Sequence, residues 1–108
     1  MAVAYKVLGQ LNPAAATLST LYTVPGATSA VCSTLAICNQ GASTTVRVAV
    51  RPAGAAIDPK HYIVYDTLVN QYDALPLTLG ISLAATDVVS VYAGTANVSF
   101  SLFGAENT

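Results

Sequence analysis

Two cysteines (Cys32 and Cys38), one histidine (His61) and five carboxylates are the residues of this 108-residue chain that could do nucleophilic, acid–base or metal chemistry. Cys32 and Cys38 have the same parity within one strand-like run. On a continuous strand both thiols share a face, six residues and roughly 20 Å apart at about 3.3 Å per residue. A disulfide needs Cα atoms about 4.4–6.8 Å apart. Two free thiols packed as small hydrophobes are therefore expected, with an intermolecular contact as the alternative. A zinc site needs four ligands at short spacing, which two distant cysteines and one histidine do not supply. Neither cysteine lies at a strand-to-helix elbow or among basic residues, the settings that activate a thiolate.

His61 follows Lys60, with Asp58 three residues before it, which reads as a solvated polar cluster at a strand end. Asp66 and Asp73 flank a loop and read as turn residues. No spacing singles out a pair of acids for hydrolysis, and there is no phosphate-binding glycine loop, dinucleotide fingerprint or serine elbow. Asn97-Val98-Ser99 matches a glycosylation sequon but falls in a strand-like run of a chain without a secretory leader. Six tyrosines and no tryptophan suggest packing at the core or rim, or a platform for sugars. Arg47 and Arg51 share one face of a run otherwise made of threonine, valine and alanine. They either cover a solvated face or meet a partner, since arginine makes bidentate bonds and is enriched at interfaces. No catalytic residue, cofactor or metal is expected.

The elements that would position these residues are short strands. β-branched and aromatic residues cluster in eight runs punctuated by Gly, Pro, Asn and Asp. The runs are Val3 to Gln10, Leu18 to Val24, Ser29 to Cys38, Thr44 to Arg51, His61 to Asp66, Leu75 to Leu79, Asp87 to Ala93 and Asn97 to Phe103. Val46, Val48 and Val50 alternate with Arg47, Ala49 and Arg51. Val98, Phe100 and Leu102 alternate with Ser99 and Ser101. Both patterns give one buried and one outward face. Asn12-Pro13 before three alanines is compatible with a single helical turn, and Gly104 to Thr108 reads as a short tail. Residues 1–108 form one all-β domain, expected as an antiparallel β-sandwich of about eight strands, jelly-roll or Greek-key in type. A small β-barrel is the alternative.

Apolar residues make up 54% of the chain and charged residues only 8%, against about 25% in an average soluble protein. A surface so poor in charge resists association weakly, and charge depletion marks the centres of interfaces. Contact with copies of itself or with a larger assembly is expected, the alternative being a monomer that relies on Ser and Thr for solubility. The net charge of −1 offers no basic patch for nucleic acid, and no apolar run reaches the length of a transmembrane helix. The first residues lack the pattern of a signal peptide. The chain is accordingly expected to be made and kept in a cytoplasm, or released by lysis rather than by secretion.

Three stretches carry a resemblance. Leu21-Tyr22-Thr23-Val24-Pro25, Ala30-Val31-Cys32-Ser33-Thr34-Leu35-Ala36-Ile37-Cys38-Asn39 and Leu83-Ala84-Ala85-Thr86-Asp87-Val88-Val89-Ser90-Val91-Tyr92 resemble small virion proteins of tailed bacteriophages. The likeness runs from about Gly9 to Phe103. Pro25-Gly26-Ala27 departs from the relatives' Pro-Ala-Gly, which alters one turn. The resemblance implies a β-sandwich and an accessory structural role on the capsid surface or in the tail, and it transfers no catalytic residue. The expectation is a non-enzymatic virion structural protein, foremost a capsid decoration or cement protein. Its partners would be copies of itself and the major capsid protein or other virion subunits, with no nucleic acid and no membrane. A tail, baseplate or collar component, or a carbohydrate- or receptor-binding module, are the alternatives.

Overall fold

Every strand of this chain pairs with the strand that mirrors it about the middle of the sequence. In the computed structural model, which describes residues 2–108, the strands are β1 (Val3–Leu11), β2 (Ser19–Thr23), β3 (Ser29–Asn39), β4 (Thr44–Arg51), β5 (Tyr62–Val69), β6 (Ala74–Leu83), β7 (Val88–Ala93) and β8 (Val98–Asn107). β1 pairs with β8, β2 with β7, β3 with β6 and β4 with β5, all antiparallel. Two further ladders, β3–β8 and β4–β7, join these hairpin-like pairs into two four-stranded sheets. Sheet I has the order β1-β8-β3-β6 and sheet II the order β2-β7-β4-β5. A long hairpin rolled up in this way is the jelly-roll sandwich. The sheets remain open, so the barrel alternative is excluded.

The core lies between the sheets and is drawn from the alternating runs. Val98, Phe100 and Leu102 of β8 and Leu35 and Ile37 of β3 meet Val46, Val48, Val89 and Val91 of sheet II. Phe100, Leu35, Ile37, Leu102, Val46, Val48 and Val91 are wholly buried. Asn39, also buried, is fully satisfied at one end of the sandwich. Its amide nitrogen donates to the carbonyls of Ala42, Val69 and Asn70, and its Oδ1 accepts from Gly41 N–H.

Two bulges shape sheet I. The ladder steps between Val7 and Gly9 on β1 and between Cys32 and Thr34 on β3, on either side of β8 at the same level. Each bulge adds a residue, flips the parity of the residues beyond it and bends its strand. Ala30 and Cys32 face the core before the bulge, and Leu35 and Ile37 face it afterwards. The expectation that both cysteines share a face therefore fails. Cys32 is buried and Cys38 exposed, both as free thiols. Gly104 faces the bulge of β3, where a Cβ would run into the Val31 carbonyl.

Other sequence expectations shift for local reasons. Residues 104–107 are the end of β8, not a tail, and Thr108 exchanges backbone hydrogen bonds with Ala2. No helical turn forms at Asn12, whose amide instead donates to the carbonyls of Ala96 and Val98 across the sandwich end. β5 runs past Asp66 because that residue, at φ 53, is absorbed as a bulge rather than ending the strand. β6 likewise runs through Gly80, at φ 64, to Leu83. Pro76 is tolerated because β6 is an edge strand.

Candidate functional site

The two outer faces of the sandwich differ. The outer face of sheet II carries Arg47 and Arg51, the arginines singled out in the sequence. The structure turns both outward from β4 and gives both work within the chain. Arg47 pairs with Asp66 through Nε–Oδ1 at 2.6 Å and Nη2–Oδ2 at 3.3 Å. Its guanidinium also lies 4.3 Å from the ring centre of Tyr65 and 4.5 Å from that of Tyr92. Arg51 donates to the carbonyls of Ala55 and Gly54 and to Ser90 Oγ. It thereby clamps the segment after β4, which begins with a 3-10 turn at Pro52–Gly54, over Ala49 and Ser90, both fully buried. Asp87 holds the same segment by accepting from Ala53 N–H.

A second 3-10 turn, Pro59–His61, leads into β5. His61 is buried there rather than solvated, its Nδ1 accepting from Asp58 N–H at 3.1 Å. The Asp58 carboxylate accepts from Lys60 N–H in return, a reciprocal cap that folds the imidazole back against the chain. Beside it Ile57, Asp58, Pro59, Tyr62 and Tyr65 line a small groove. Asp66 is not a turn residue but the ion-pair partner of Arg47. Asp73 does lie in a turn, where its carboxylate accepts from Ala74 N–H. Tyr72, in the same turn, holds a left-handed backbone at φ 58 with its ring 75% exposed.

Among the described residues no segment covers the outer face of sheet I. Its outward side chains are Val3, Tyr5, Val7 and Gln10 of β1, Ser29, Val31, Ser33, Thr34, Ala36 and Cys38 of β3, Ser99, Ser101, Phe103, Ala105 and Asn107 of β8, and Ala74, Pro76, Thr78 and Ser82 of β6. None is charged. The end near the chain termini exposes large apolar side chains, Val3 55%, Tyr5 86%, Val7 47% and Val31 50%, bordered by Lys6, Ser29, Ser33 and Asn107. Tyr5, Ala105 and Val31 form one cross-strand row, with Val7 opposite Phe103 in another. The bulges bend the sheet here, and these residues line an open concavity of about 800 Å³. The charge at its margin is neutralised within the chain, Lys6 Nζ lying 2.6 Å from Glu106 Oε1. Sequence reasoning located these strands and missed this face. The alternation of Val3, Tyr5 and Val7 is its one sequence signal.

Glu106 points the other way, into the end of the sandwich. Tyr22 of β2 donates to its Oε2 at 2.6 Å, so one carboxylate ties sheet I to sheet II. The hydrogen bond from Lys6, and then that from Tyr22, hold Glu106 below the usual carboxylate range. Burial and the bond to Glu106 push the Tyr22 hydroxyl well above the ordinary phenol value. Burial alone raises the Cys32 thiol to about 11.

Among the described residues no three or more His, Cys, Asp or Glu side chains cluster as metal ligands. No helix is long and apolar enough to cross a membrane. No protein-family model, curated protein or solved structure matches the chain.

Proposed function

We propose that this chain is a non-enzymatic structural protein of a bacteriophage virion, a capsid decoration or cement protein that acts by contact with neighbouring subunits. The observation that carries the reading is the bare outer face of sheet I. The chain exposes 5436 Å² in all, close to the roughly 5,600 Å² that surface scaling gives a monomer of its 11.0 kDa mass. Nine charged side chains serve that area, about one per 600 Å². Sheet I turns none of them outward. A free monomer gains nothing from such a face, whereas a subunit covered by neighbours needs it. The resemblance of three stretches to small phage virion proteins supplies the kind of assembly.

A carbohydrate- or receptor-binding role is the second reading, favoured by the groove in which Tyr62 and Tyr65, in edge-to-face contact at 4.9 Å, stand beside Asp58. The copy number of this chain relative to the major capsid protein in purified particles separates the two. A high, fixed ratio supports the capsid role. A few copies per particle, with saturable glycan binding lost on Tyr62→Ala, supports the receptor role and overturns the first.

A further inference from the structure

We infer that two copies of this chain pair through the outer faces of their sheets I, as an isologous sandwich in which Tyr5 of each copy seats in the concavity of the other. The pairing holds whether or not the virion reading does, since it rests on this face alone.

Charge identifies the occupant. Burying an ion costs several kcal/mol unless a counter-charge meets it. The outward side chains of sheet I offer none, and Lys6 is already paired with Glu106. Nucleic acid, anionic headgroups and a protein surface of average charge would all lose water there without compensation. A second copy of the same uncharged face would not.

Area fits the same occupant. Four strands about 4.8 Å apart, with about nine residues each at about 3.3 Å, present a face of roughly 19 by 30 Å, on the order of 550 Å². Specific interfaces bury about 800 Å² per partner, and the weaker ones about 600 Å² or less. Even the whole face reaches only the size of the weaker interfaces, so the contact must be sheet on sheet. Aligned sheets pack about 10 Å apart, with side chains interdigitating.

Shape supplies the lock. Tyr5, the most exposed of the large hydrophobic side chains, lies in the same cross-strand row as Ala105 and Val31 at the concavity. A two-fold axis repeats every contact, so each copy gives one tyrosine and receives one. Tyrosine suits this role because its ring buries a large area while its hydroxyl finds a partner at the wet rim.

Sedimentation of the native chain from about 1 µM to about 1 mM tests the pairing, with a dissociation constant of about 10–100 µM expected for so small an interface. Tyr5→Glu combined with Val31→Glu should raise that constant at least 100-fold. Tyr5→Ser alone, at a site too exposed to threaten the fold, should raise it about tenfold. Ile63→Glu with Leu68→Glu, on the edge of sheet II, should leave it within twofold. Circular dichroism checks that each variant is folded. A wild-type chain still monomeric at the highest concentration overturns the inference. So does a dissociation constant left unchanged by the Tyr5/Val31 variant or by Tyr5→Ser, or one raised as far by the Ile63/Leu68 pair.

Discussion

The outer faces of sheet I and sheet II are made of the same strand residues and end in opposite states. Sheet II gathers Arg47, Arg51, Asp66 and Asp87, and these charges work within the chain. They draw a connecting segment over the sheet and leave Ala49 and Ser90 as buried as the core. Among the described residues the outer face of sheet I has neither such charges nor a covering segment, its Lys6–Glu106 pair lying at the inner margin, and Tyr5, Val31 and their neighbours stay open. A charge-poor protein thus concentrates its few charges on one side. They close one face and leave the other uncovered, so the arginines act as structural clamps, and the bare face is the one proposed to meet a partner.

Thiol labelling puts this contrast to its hardest test, because β3 carries one cysteine on each side of sheet I. Cys38 should react at once in the native protein, and Cys32 slower by on the order of 10⁴-fold, since its exposure requires unfolding worth about 5 kcal/mol or more. Comparable rates would mean that the bulge at Ser33 does not flip the strand. A mass two units low, from an intrachain disulfide, would do the same. The next largest effect sets the scale of the shared core: Phe100→Ala should cost about 3–5 kcal/mol in urea unfolding.

Arg51→Ala, which removes three hydrogen bonds and uncovers buried Ser90, should cost about 2 kcal/mol. Tyr5→Ser on the open face should change monomer stability by about half a kcal/mol at most. Equal losses at the two sites would erase the distinction between a clamped and an open face.

The tie between the sheets is tested by pH. Glu106 is held below the ordinary value of about 4.3, so its contribution is complete above that value. It is lost as pH falls from there through the lower folded-state value. Cys32 and Tyr22 act in the opposite sense. Their folded-state values are raised, so their contribution is complete below an ordinary thiol value of 9.0 and fades as pH rises through about 11, where Cys32 titrates. The melting temperature should therefore fall on both sides of a neutral plateau. Glu106→Gln should flatten the acid side without altering the slope that Cys32 contributes on the alkaline side. An unchanged acid slope in that variant would remove Glu106 as the tie.

The eight strands, the all-β sandwich and the inward faces of β4 and β8 were legible in the sequence because period-two alternation is a local property. Val98, Phe100 and Leu102 announce their face whatever they pack against. So was the shortage of charge, which is composition. What the alternation could not reveal is where it breaks. The bulge of β3 falls among ordinary strand residues, and although Gly9 beside the bulge of β1 is a residue type that often marks one, the extra residue shows only against the register of the neighbouring β8. That register decided that Cys38 faces out and that Tyr5, Val31 and Phe103 meet around one concavity. Residues 104–107 carry Gly and Glu and read as a tail. Only the pairing of Ala105 with both Tyr5 and Val31, and the bonds of Glu106 to Tyr22 and Lys6, make them strand. The two arginines were visible as a pair on one face, but a carboxylate nineteen residues away and a folded-back loop settled what they hold. Contacts between residues far apart in sequence leave no periodic trace in either segment, and on such contacts the difference between the two faces depends.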